Sequence, residues 1–290
     1  MEIRNVQKTG DMHYLYLPTA WCKKHKIGSK SKVSIEQNSD GTITVSPQIP
    51  ERKPKDLKFS INETDQEAIH KLVVACYINP ISSFEINLEK EMDFTKLLNQ
   101  KRLITIEAVE IDKKQITCHS AAPISDPDSL LKTMTKKIKN MITVMQKSYH
   151  HDLIERYEDE IDRIKMSIDK AIISFLTFGS QIKSKTIDLY YISLISKDLE
   201  RMVDHLICVD HKDISFLNLV YGIIDNLNSL IENIVHLNHK TALQFIKKVS
   251  SIAPLKINNI KSYDKERIRL SLITIADVIT DWAITKEIEK

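Results

Sequence analysis

From residue 127 onward, apolar residues recur every three or four positions. SLLKTMTKKIKNMITVMQKSYHH sets Leu130, Met134, Ile138, Met141 and Met145 on one face. HDLIERYEDEIDRIKMSIDKAIISFL repeats the step at Ile154, Tyr157, Ile161, Ile164, Ile168 and Phe175. That period predicts amphipathic helices, with more over 186–209, 213–235, 238–250 and 264–288. Their lengths fit antiparallel neighbours in a helical bundle.

Upstream the period shortens to two. MEIRNVQKTG and HYLYLP read as strands, TAWCKKHKIG as one short helix closed by Gly28, and SKVSIEQN and GTITVSP as a hairpin around Asp40-Gly41. This predicts a small all-β head over 1–47. QIPERKPKD (48–56) has two prolines and no period, and reads as a linker. Residues 57–123 alternate again: LKFSIN, a helix over ETDQEAIHKLVVACYINP, SSFEINLE, a helix over MDFTKLLNQKR, then TIEAVEID and KKQITCHSA. The order βαβαββ predicts a small α/β layer of ferredoxin-like character. The chain is thus expected to be multidomain, with an all-α bundle over 127–290.

Composition adds three points. The 290 residues are 42% hydrophobic and 28% charged, enough to bury a core. The net charge of +3 is uneven: residues 1–55 hold ten Lys+Arg against five Asp+Glu, or +5, leaving −2 for the rest. A basic head suggests an anionic partner. Cys22, Cys76, Cys118 and Cys208 form no CxxC and read as reduced thiols, with Cys118-His119 a packing pair on a strand. MEIRNVQKTG lacks a leader profile and no long apolar run stands out, so the expectation is a cytoplasmic protein without membrane insertion. The middle segment contains no glycine, which removes glycine-rich phosphate loops.

The candidate chemistry lies in KDLERMVDHLICVD. Glu200 and Asp204 are four apart, on one side of an apolar stripe, where like charges repel. The arrangement returns 77 residues later: LISKDLERMVDHLICV aligns with SLITIADVITDWAITK, placing Asp277 and Asp281 on Glu200 and Asp204. Such duplication argues for a repeated helical unit. Glu158 and Asp162 offer another pair, with Glu155 and Asp169 nearby by helical geometry. Facing helices that contribute acids to a shared interior commonly build metal sites, and a hard cation neutralises the repulsion. The expected ligands are Glu200, Asp204, Asp277, Asp281, Glu158 and Asp162, for a divalent or trivalent ion such as Mg, Mn, Fe or Zn. The plain alternative is a charged helix edge paired with Arg201, Lys197 or Arg163.

Two resemblances follow from these residues. Strand, strand, "LPTAWCKKHKIG", strand, "DG", strand resembles the AbrB-type (SpoVT/AbrB-like) swapped-hairpin domain. That resemblance implies an intertwined homodimer, with Arg4, Lys8 and His13 facing DNA and Lys23, Lys24 and Lys26 extending the basic surface. Residues 1–47 are too few to bury much apolar surface alone, which also favours dimerisation. "DLERMVDHL" and "EDEIDRIKMSID" resemble the acidic signature of the PhoU family, whose fold is two three-helix repeats. In the second repeat the middle helix shortens to HKTALQFIKKVSS without an acidic pair, and "ADVITDWA" replaces the usual glutamate by aspartate. Together the resemblances imply a regulator of phosphate uptake, acting on promoter DNA and working with a phosphate transporter or sensor kinase. An adaptor whose head only dimerises is the alternative. A carboxylate-bridged metalloenzyme is disfavoured, because the acidic helices carry no Glu-x-x-His pair and no nucleophile motif.

Overall fold

The computed structural model describes residues 3–37, 41–47, 55–91, 109–112, 114–119, 126–147, 149–178 and 184–289. The chain divides into two compact units, Met1–Lys53 and Pro54–Lys290.

The first unit holds two separate hairpins and one short helix. Strands β1 (Gln7–Thr9) and β2 (Met12–Tyr14) pair antiparallel, turning at Gly10, whose φ of +61° favours glycine. Helix α1 (Thr19–Lys24) ends where Lys26 turns left-handed at φ 55°, two residues before the expected stop at Gly28. Strands β3 (Ser34–Gln37) and β4 (Ile43–Ser46) form the predicted hairpin, with Gly41 at φ +82°; Asp40 lies outside the described residues. None of this unit's described residues is buried. Ile3, Ile35 and Ile43 are 83%, 69% and 65% exposed. So few residues cannot close a core around their own apolar side chains.

The second unit opens with β5 (Lys55–Ile61), which takes over the last two residues of the expected linker. Helix α2 (Gln66–Ile78), N-capped by Asp65 accepting from the Ala68 N–H, leads to β6 (Ile81–Leu88), parallel to β5. Strands β7 (Val109–Asp112) and β8 (Gln115–His119) complete a mixed sheet in the order β5-β6-β8-β7. The helix expected over MDFTKLLNQKR lies outside the described residues. Alternation on β6 turns Phe84, Ile86 and Leu88 inward, against Ile69, Val73 and Cys76 of α2 and Ile116 and Cys118 of β8.

Six helices follow: α3 (Pro127–Lys147), α4 (His151–Phe178), α5 (Thr186–Leu206), α6 (Ile214–Glu232), α7 (His239–Val249) and α8 (Ile260–Ile288). The last starts four residues earlier than its hydrophobic period indicates. Asn259 and Ser262 form a capping box there, satisfying otherwise orphaned N–H groups. The predicted stripes form one core. Met134, Ile138, Met141 and Met145 of the α3 stripe are buried, with Leu131 in place of the expected Leu130, which is half-buried against the core; Ile195, Leu199, Met202 and Leu206 of α5 are buried as well. Their repeat counterparts Leu272, Ala276, Ile279 and Ala283 are buried on α8, against which α5 packs.

Helix α6 corrects the view that no long apolar run exists: it has the length and composition to cross a bilayer. In the fold, Leu217, Val220, Ile224, Leu227 and Ile231 of that helix belong to the bundle core. Polar contacts fix its register on α3, with the Thr135 hydroxyl donating to Asn228 Oδ1 at 2.9 Å and Lys139 paired with Asp225 at 2.5 Å. Between α5 and α8, Trp282 Nε1 donates to Asp188 at 2.6 Å and its ring stacks on Tyr191.

The α/β layer and the bundle meet where α2 packs on α4, and Met166 of α4 is part of the sheet-side core. Glu266 ties the start of α8 to the segment after α7: Arg269 donates to both its oxygens at 2.8 and 2.6 Å, and the Leu255 N–H donates at 3.0 Å. The Arg269 hydrogen bonds hold its carboxyl below the usual glutamate range, against an opposing effect of burial. A lowered folded pKa gives stability that is present above the unfolded value of about 4.3 and lost as pH falls through the folded one. Glu266→Gln should therefore cost about 1.5–3 kcal/mol at pH 7 in urea unfolding, and the difference should shrink below about pH 4.

Candidate functional site: a carboxylate seam between two helices

Helices α4 and α5 pack against each other, and their apolar stripes set which polar residues border the seam. On α5, burial of Leu199, Met202, Val203 and Leu206 leaves Glu200 and Asp204 half-buried at the stripe's edge. On α4, Ile161 and Ile164 are buried and Asp162 is half-buried. One ligand atom each from Asp162, Glu200 and Asp204 then lies within 4.8 Å of the others. Among the described residues this is the one group of three or more potential metal donors at that spacing.

The seam continues one turn further. Glu158 precedes Asp162 by four residues on α4, and Cys208 follows Asp204 by four. The Cys208 thiol is raised in pKa first by shielding of its sulfur, then by the charges of Asp264, Glu158 and Asp204. Glu158 is half-buried with Oε2 shielded from solvent, and lies in the electrostatic field of this end of the seam without joining the close triad. Buried Asp264 of α8 meets His205 Nδ1 at 2.9 Å, and Tyr263 sets its ring edge-on to the imidazole. Sequence reading did not single out Cys208, although its four-residue step from Asp204 was the available signal.

The other expected ligands lie elsewhere. Asp277 and Asp281 are exposed on α8 and join no such group of donors. Their stripe is the repeat of that on α5, but the neighbouring α7 has 11 residues where α4 has 28, and carries lysines rather than acids. Glu155 pairs with His151 at 3.4 Å and Asp169 with Lys165 at 2.5 Å, and neither belongs to the close triad. Arg201 sits beside Asp198 at 3.6 Å.

In the head, Lys8 and His13 are directly opposed across β1 and β2, and both are exposed. Arg4 Nη1 donates to the Tyr16 carbonyl at 3.2 Å. Lys23, Lys24 and Lys26 are exposed at the end of α1, where positive charge also complements the helix dipole.

Chemically, three carboxylates from facing helices offer only oxygen donors, the set that hard cations accept. The chain matches no family model, no curated protein and no solved structure.

Cys208 reports on this seam. Iodoacetamide should alkylate it more slowly than an unstructured cysteine, and Asp204→Asn should quicken the reaction by removing a neighbouring negative charge. Equal rates in the two proteins would place Asp204 outside the thiol's field.

Proposed function

We propose that this chain is a dimeric, cytoplasmic regulator whose helical region binds a hard divalent or trivalent cation and whose basic head contacts promoter DNA, with phosphate uptake as the process controlled. The observation that carries the reading is the convergence of Asp162, Glu200 and Asp204 across the α4–α5 seam. Like charges held together at a packing boundary cost free energy that a bound cation removes. Mg, Mn, Fe and Zn are the ions considered, and the all-oxygen donor set favours the harder ones.

The remaining parts rest on the motif resemblances together with the head's composition. A second copy swapped into an AbrB-type arrangement would cover Ile35, Ile43 and their apolar neighbours, which one chain leaves in water. A PhoU-like bundle of two three-helix repeats accounts for the paired stripes of α5 and α8. Under this reading the second repeat keeps the packing and lacks the acidic partner, so one cation site is expected per chain. A ferredoxin-like middle layer would join the two ends. The adaptor reading, with the head serving only to dimerise and the bundle docking on a transporter or sensor kinase, draws on the Arg4 contact with the Tyr16 carbonyl, which engages a candidate DNA-facing side chain within its own chain.

Two measurements test this. A cation at 100 times its Kd stabilises the folded protein by about 2.7 kcal/mol. Mn²⁺ should accordingly raise the melting temperature of the wild type and of Asp277→Asn/Asp281→Asn, but not that of Asp204→Asn; an equal rise in all three would remove the triad as the site. For the head, binding to duplex DNA should weaken steeply with salt, and Arg4→Ala/Lys8→Ala should reduce the slope of log K against log salt by about 2. Salt-independent or absent binding would leave the adaptor.

A further inference from the structure

A second group of ligating and charged side chains lies at the junction of the α/β layer with the bundle. Cys76 of α2, Cys118 of β8 and Lys170 of α4 line one crevice together with Tyr77, Ser82 and Ser83. The space is ≈ 10 Å³, room for one ion or one water. Both thiols are buried, at 5% and 1% exposure, within the same apolar cluster. The Lys170 ammonium stands over the Tyr77 ring, 4.3 Å from its centroid.

Cys118 is coupled electrostatically to both Cys76 and Lys170. Burial raises both thiols, Cys118 raises Cys76 further, and Lys170 pulls Cys118 down. Burial lowers Lys170, with Cys118 opposing it. The serine hydroxyls are committed elsewhere, since Ser82 and Ser83 both donate to Asp56 Oδ1, at 2.7 and 2.6 Å.

We propose that Cys76 and Cys118 bind a soft monovalent cation, Cu⁺, between their sulfurs, with Lys170 as the counter-charge. Soft thiolate ligands select Cu⁺, and two suffice for it, whereas Zn²⁺ takes four donors in a structural site. The balance is two thiols plus Cu⁺ giving a bis-thiolate copper anion and two released protons, with no change in oxidation state. The complex carries one negative charge, and the Lys170 ammonium neutralises it within an apolar layer where an unpaired charge is costly. This site is independent of the carboxylate seam.

The test is an anaerobic transfer of Cu⁺ from the chromophoric chelator bathocuproine disulfonate to full-length protein in a Cys22→Ser/Cys208→Ser background. One equivalent per chain is expected. Cys76→Ser and Cys118→Ser should each abolish the transfer, Lys170→Met should weaken it by roughly 10–100-fold as loss of an outer-sphere partner does, and Asp204→Asn should leave it unchanged. X-ray absorption on the copper-loaded Cys22→Ser/Cys208→Ser protein should give two sulfur neighbours, a readout that does not depend on how the site variants fold. No transfer, retention of copper by Cys118→Ser, unchanged affinity in Lys170→Met, or nitrogen and oxygen neighbours at the copper would each overturn the proposal.

Discussion

The seam between α4 and α5 depends on one constraint: the apolar stripe of α5 must be buried, and burying it fixes where Glu200 and Asp204 go. A helix offers no freedom to rotate the acids into water without bringing Leu199, Met202 and Leu206 out with them. Each of those buried side chains is worth about 1.5–3 kcal/mol, while neighbouring like charges on a helix cost a few tenths. Packing therefore wins, and the acids are held near Asp162 whatever their mutual repulsion. A cluster of acids of this kind needs no dedicated loop.

The repeat shows how little of such a site belongs to a single helix. Helices α5 and α8 carry the same stripe and the same acid spacing, and they bury those stripes in one shared core. They differ in what packs beside them. Helix α5 has the long, acidic α4 alongside; α8 has the short, lysine-ended α7. The two helices share their packing but not the converging donors, since the core specifies positions of apolar atoms and is indifferent to acids on the outer edge.

Helix α4 links the two clusters. Glu158 and Asp162 face the seam, while Met166 and Lys170, one and two turns further on, enter the sheet-side core and its crevice. Residues spaced by four drift only about 40° per step around a helix, so one side of α4 can border the bundle at one end and the α/β layer at the other. The described residues of the head, by contrast, enclose no core of their own.

Among the described residues, the sequence alone determined most elements and their classes, while the helix over MDFTKLLNQKR lies outside them. A 3.6-residue period from 127 onward, alternation before it, and the glycine turns read directly because amphipathic periodicity is a local property of the chain. It also yielded Asp162, Glu200 and Asp204, through spacing beside an apolar stripe. The shortened, acid-free middle helix of the second repeat was legible in the sequence, but the tertiary structure decided that Asp162, Glu200 and Asp204 converge while Asp277 and Asp281, with the same local pattern, do not, because convergence depends on which helix lies opposite. Cys76, Cys118 and Lys170 could not be associated from the sequence for the same reason. They lie on three different elements, each with an ordinary local environment, and only the packing of α2 between sheet and bundle brings them to one crevice.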